Sequence, residues 1–136
     1  MSYEELEVGA EIPQQGLRVS IVQTVMYCGI TWDFARYHYD PEFVRTFGYP
    51  GPVVDPQMHG GFMARMLTDW VADSGRVGRL NLRYRGPCYL GDTRTYTGKV
   101  AEKYAKDGKR YADCNLLGAN QKGDKLVEAT ASILFF

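Results

Sequence analysis

Hydrophobic residues recur in two neighbouring rows in the middle of the chain: Phe62, Met66 and Trp70, and beside them Met63, Leu67 and Val71. Steps of four along adjacent rows make one broad apolar stripe on a helix. Asp55-Pro56, just ahead, supplies an N-cap carboxylate and a proline at the first helical position. The pattern therefore predicts a long helix from about Pro56 to Ala72. Gly60-Gly61 near its start is poor helix-forming sequence, and predicts close approach of another backbone or a ligand.

Before that helix the elements are shorter. Residues 1–16 carry Gly9, Pro13 and Gly16 and read as an irregular lead-in. Leu17, Val19 and Ile21 alternate with polar neighbours, which predicts a short strand. Thr24 to Ala35, with Val25, Met26, Ile30 and Phe34, predicts a core-packed helix interrupted by Gly29. Asp40-Pro41 starts a further short helix that runs to Phe47 and stops at Gly48, and Pro50-Gly51-Pro52 must turn. After Gly75 the pattern is all strand. Leu80, Leu82 and Tyr84 alternate with Asn81, Arg83 and Arg85, and the stretch from Thr93 to Tyr104 is rich in Thr, Tyr and Val. Asp107-Gly108 is a hairpin turn leading into Tyr111 to Leu117. The last segment, Lys125 to Phe136, points Val127, Ala129, Ala131, Ile133 and Phe135 inward. Helices followed by antiparallel strands define an α+β class.

Composition narrows the picture. A length of 136 residues suits one domain, 1–136, with no room for a separate cofactor module. Sixteen basic residues balance sixteen acidic ones, which argues against a nucleic-acid or anionic-membrane partner. Cys28, Cys88 and Cys114 are an odd number without paired spacing, so neither a disulfide framework nor a zinc site is expected, and a reducing cytoplasm is. The three thiols are expected in the core. The acidic start, Met1 to Glu7, lacks signal-peptide features, and no apolar run reaches the ~18 residues of a membrane span.

Four stretches follow one another with a telling order and spacing. They are Trp32-Asp33-Phe34-Ala35-Arg36-Tyr37-His38-Tyr39-Asp40-Pro41, the turn Tyr49-Pro50-Gly51-Pro52, Gly61 to Leu67, and Arg83 to Thr93 with its Gly91-Asp92-Thr93 end. Together they resemble the MaoC-like (R)-specific enoyl-CoA hydratases and dehydratases, whose Gly-Asp-x-Asn-Pro-x-His-x-Asp-Pro lies on the first stretch without a gap. The resemblance implies a hot-dog fold, a long central helix wrapped by a curved antiparallel sheet. It also implies an acyl-CoA lyase that reversibly adds water to a trans-2-enoyl-CoA to give the (R)-3-hydroxyacyl-CoA. It assigns Asp33 and His38 to the water, needs no metal and no cofactor beyond the CoA of the substrate, and implies a dimer or larger assembly joined through sheet edges. Sterol side-chain hydratase subunits are similar in Thr68-Asp69-Trp70 and Tyr89 to Thr93, and some of them work beside a partner protein, so a heteromer is a second expectation.

The chemistry suits those residue types. An imidazole titrates near working pH and can take a proton from water, and a carboxylate can grip the same water. Five residues apart on one straight helix the two would not meet. The backbone must therefore break between them, and the segment from Tyr37 to Pro41 is expected to supply that break. Which of the two accepts the proton is left open.

Two departures from the family pattern matter. Ala35 and Arg36 replace its Asn and Pro, and its His-Gly falls on Asp55-Pro56. Proline has no N–H, so the backbone donor to the thioester oxygen is expected in the first turn of the main helix, at Gln57 with Met58 as the alternative. His59, four positions late, is expected at the helix surface or an interface, with the pocket as its other location, and Gly60 beside it. Asp55 is read as an N-cap, Arg83 and Arg85 as facing solvent, and Asp92 as fixing its turn. Trp32, Tyr37, Tyr39 and Phe62 are expected to line an apolar tunnel. Two rivals stand beside hydration: an acyl-CoA thioesterase on the same scaffold, and a non-catalytic acyl-binding subunit of a heteromeric hydratase.

Overall fold

Five antiparallel strands curl around one long helix in the computed structural model, which describes residues 2–136. The strands are β1 (Glu11–Arg18), β2 (Gly75–Tyr84), β3 (Thr93–Lys106), β4 (Lys109–Asn120) and β5 (Lys125–Phe135). The helices are α1 (Ile21–Thr31), α2 (Pro41–Arg45) and α3 (Pro56–Val71). The sheet order is β1-β3-β4-β5-β2, so β1 and β2 are its edges.

The alternation along β3, β4 and β5 turns one face of the sheet toward α3. Tyr96, Val100, Cys114, Leu116, Val127, Ala131 and Ile133 are buried there against Met63, Met66, Leu67 and Val71. Burying each large apolar side chain is worth about 2 kcal/mol, so this layer dominates the stability of the fold. Asp107 and Gly108 both take positive φ, 52° and 72°, as the tight hairpin between β3 and β4 requires.

Three expectations are corrected. The lead-in is not irregular throughout, because β1 begins at Glu11. Pro13 is accommodated at a register shift between Ile12 and Gln15 on an edge strand, where a missing N–H costs little. The alternation does not carry the strand to Ile21. Ser20 and Gln23 form a capping box that starts α1 instead (Gln23 N–H to Ser20 Oγ 3.3 Å, Ser20 N–H to Gln23 Oε1 3.0 Å). Finally, α1 is not packed into the core and does not reach Ala35. It stops at Thr31, only Thr24 and Cys28 are buried along it, and Ile21, Val22, Val25, Met26 and Ile30 face outward.

Of the glycine pair in α3, only Gly60 is pressed. A Cβ there would lie 2.7 Å from Leu82 Cδ1, whereas one at Gly61 would meet nothing within 4 Å. The three cysteines are free and buried, as expected.

Candidate active site

Asp33 lies two residues past the end of α1. Trp32 caps that helix in the left-handed region, φ 60°. This conformation is uncommon for a bulky side chain, and it swings the following residue out of the helical path. The break thus falls before Asp33 rather than between Asp33 and His38. Asp33 then makes its own tight turn, with the Ala35 N–H donating to Oδ1 at 3.0 Å, which leaves Oδ2 to face the site.

His38 closes a single 3₁₀ turn, Arg36–His38, and is buried. Its Nδ1 is 2.8 Å from the Val53 carbonyl. Val53 is clamped in turn, because its own N–H donates to the Tyr37 carbonyl at 2.9 Å and it bridges to Tyr89. The Nε2 of His38 stands 3.8 Å from Asp33 Oδ2, beyond direct hydrogen bonding and within reach of one shared water.

A third acid closes the arrangement. Asp55 caps α3 as expected, taking the Gln57 N–H on Oδ1 at 2.8 Å, and it is only 5% exposed. A carboxylate oxygen of Asp55, one of Asp33 and a ring nitrogen of His38 all lie within 4.8 Å of one another. The strap that carries Asp55 is fixed to the loop before β3 by Val54 N–H to Cys88 O (2.8 Å) and Leu90 N–H to Pro52 O (3.2 Å). Below it a small apolar cluster of Val19, Val54, Met58, Cys88 and Leu126 supports the start of α3.

The donor expected at Gln57 is already engaged, since its N–H serves Asp55. Met58 N–H is likewise bonded, to the Asp55 carbonyl at 3.0 Å. His59 is neither at the surface nor in the pair's company. It is 2% exposed and hydrogen-bonded through Nδ1 to Tyr96 Oη at 2.8 Å. Burial, with the Arg94 charge second, pulls its pKa down to about 4. The aromatics expected to form one tunnel are dispersed. Phe62 stacks on Tyr96 in the core, Tyr37 packs among Phe43, Phe47 and Tyr49, Tyr39 bonds the Phe34 carbonyl, and Trp32 is 81% exposed against Phe34.

Sequence reasoning missed Arg94. Its guanidinium is fully buried, has no hydrogen-bond partner among the described residues and lies over the Phe62 ring at 4.7 Å. The alternation of β3 contains the signal, because Arg94 shares its inward face with Tyr96. Tyr27 and Tyr84 were missed as neighbours of the site. Both phenols are pushed up, first by burial and then by the Asp55 charge. Arg83 and Arg85 face outward as expected, Arg85 paired with Glu128. Asp92 fixes its turn by accepting the Tyr89 N–H at 2.9 Å.

Residues 5–116 match the profile of the MaoC-like domain. The chain belongs to the MaoC-like domain family. Among its relatives is the 3-oxo-4,17-pregnadiene-20-carboxyl-CoA hydratase beta subunit of Mycobacterium tuberculosis, 29% identical over 126 residues, which span 93% of this chain and 94% of that protein. This MaoC-like chain also superposes on a chain of the ChsH1-ChsH2 complex from Mycobacterium tuberculosis with a TM-score of 0.83 and 28% identity, covering 96% and 98% of the two chains. The (R)-hydratase from A. caviae involved in PHA biosynthesis gives 0.88 at 20% identity, covering 98% and 99%, and shares the hot-dog fold. Hydratase or dehydratase activity is the property of the family as a whole. Among the described residues no helix is long and apolar enough to cross a membrane.

Proposed function

We propose that this chain reversibly hydrates a trans-2-enoyl-CoA to the (R)-3-hydroxyacyl-CoA. The observation that carries the reading is the 3.8 Å gap between His38 Nε2 and Asp33 Oδ2. A carbonyl can only accept, so Val53 O holds the proton on Nδ1 and leaves Nε2 with its lone pair toward the gap. In the proposed reaction a water in that gap gives one proton to Nε2 as its oxygen bonds to C3. The electrons of the C2–C3 double bond move toward the thioester oxygen, and Asp33 delivers a proton to C2. The proton on His38 then returns to Asp33 through the next water, which restores both groups. The charge that develops on the thioester oxygen meets the positive end of α3.

The substrate is proposed to be an acyl-CoA, and the mycobacterial relative's name makes ring-bearing acyl groups the first to test. A partner subunit is a second part of the proposal. The relative is named a beta subunit and the structural neighbour is a two-protein complex, while the outward apolar face of α1 is left exposed among the described residues. The test is a panel of short, long and ring-bearing enoyl-CoAs, given to the chain alone and with any co-purifying protein. Loss of enoyl absorbance with a product 18 mass units heavier and no thiol release supports hydration. Release of free CoA thiol supports a thioesterase instead, and inertness in every combination supports a non-catalytic subunit.

A further inference from the structure

We propose that Asp55 is a third residue of the water site, whose free carboxylate oxygen accepts the water proton that is not transferred. The proposal rests on the hydration reading above. Its geometric basis is the triangle made by Asp33, His38 and Asp55, no side of which exceeds 4.8 Å. Some point in such a triangle is no farther than the longest side divided by √3, about 2.8 Å, from every corner, which is the ordinary length of a water hydrogen bond. One oxygen atom placed there touches all three groups.

The state of each corner gives it a separate task. Asp33 has Oδ1 tied to the Ala35 N–H and is half exposed. Asp55 has Oδ1 tied to the Gln57 N–H and is almost fully buried. Its Oδ2 has no protein donor among the described residues, yet is not one of the polar atoms sealed from solvent. Both carboxylates are therefore held by one oxygen and offer the other, and His38 offers Nε2.

Three acceptors and one water leave a count that does not close, because water has only two protons. One corner must bring a proton of its own. That extra proton is the one C2 requires, and in the proposed reaction it passes through Asp33, the corner open to solvent. His38 takes the proton that leaves the water. Asp55, buried and pinned, takes the other and so aims the oxygen lone pair at C3. As an N-cap Asp55 would need only Oδ1, so the second oxygen separates the two roles.

The test uses two substitutions that keep the cap. Asn and Ser are both good N-caps, and Gln57 N–H holds the oxygen of Asp55→Asn in the Oδ1 place, which puts an NH2 donor where the water needs an acceptor. Asp55→Ser removes the second arm altogether. With the chain in the form that turns over, each variant is expected to lower kcat on the order of 30- to 100-fold, the scale of a misplaced reactant, with KM and Tm close to wild type. Wild-type kcat in Asp55→Asn overturns the proposal. A crystal structure of the wild type serves if either variant fails to fold: a water within 3.2 Å of Asp55 Oδ2 and His38 Nε2 supports it, and a water-filled cleft without one there overturns it. If Asp33→Asn is dead and Asp55→Asn is not, this inference falls while the hydration reading stands. If the wild type hydrates nothing, that reading falls by itself.

Discussion

The His38 ring is bound to the Val53 carbonyl across 2.8 Å, and that bond sets the chemistry of its other nitrogen. With Nδ1 committed as donor, Nε2 of the neutral ring is the acceptor toward the Asp33 side. His38→Ala and Asp33→Asn are each expected to lower hydration at least 100-fold, the lower range of positioned proton transfer. The folded state should persist, since Asp33 is half exposed and the core lies elsewhere. Stopped assays of enoyl absorbance with thermal melts check this, and near-wild-type turnover in either variant refutes the pairing.

Metal dependence is a separate question, since an imidazole and two carboxylates lie close together. Ligands around a tetrahedral zinc at ~2.1 Å stand about 3.4 Å apart, and the His38–Asp33 separation of 3.8 Å is wider. Dialysis against EDTA is expected to leave turnover unchanged, and added zinc to inhibit. Activity lost with EDTA and restored by zinc would show that the cluster holds a cation in the working protein.

His59 makes stability depend on pH. Burial and Arg94 hold its folded pKa at about 4, against 6.5 ordinarily. The unfolded chain takes up the proton near 6.5 while the folded chain stays neutral until about 4. The ring's contribution is therefore complete above pH 6.5 and is lost as the pH falls from 6.5 to 4. At ~1.4 kcal/mol per unit the loss is on the order of 3 kcal/mol. Urea melts at pH 7.5 and 4.5 should show a larger drop for wild type than for His59→Gln; equal drops would place the sensitivity elsewhere.

Gly118 is one of the places where the core has no room for a side chain. A Cβ there would lie 2.7 Å from Val127 Cγ1 and 2.9 Å from Tyr96 Cε1. Tyr96 is itself held between the Phe62 stack and the His59 bond, so its ring has little room to retreat. Gly118→Ala is expected to cost about 1–3 kcal/mol in a urea melt, the usual scale of overpacking. A neutral result would mean that the Tyr96 layer yields.

Much of this was legible from local signals. The helix α3 was readable to within one residue because a capping acid, a proline and two apolar rows all agree. The strands after Gly75 were readable because Val, Thr and Tyr alternate and Asp107-Gly108 fixes the hairpin. The start of β1 and the exposure of α1 were not. An edge strand hides a proline that a central one would reject, and an apolar helix reads alike whether its face is covered by the same chain or left bare. His59 was opaque because a titratable side chain on a helix carries no local mark of burial, whereas the alternation that Arg94 shares with Tyr96 on β3 could have shown it.

By itself, the sequence determined the order of elements, the hot-dog class and the two residues, Asp33 and His38, that belong to one site. The order of elements follows from periodicity, capping and turn chemistry, which act over a few residues, whereas the hot-dog class and the Asp33–His38 pair follow from the resemblance to the MaoC-like family. Only the tertiary structure decided that the strap through Val53 fixes the His38 tautomer, that Gln57 N–H is taken by Asp55, and that Asp55 stands beside the pair. Asp33 lies some twenty residues before Val53 and Asp55. Their meeting depends on how the left-handed turn at Trp32, the bridge to Tyr89 and the start of α3 are packed together, which no local pattern encodes.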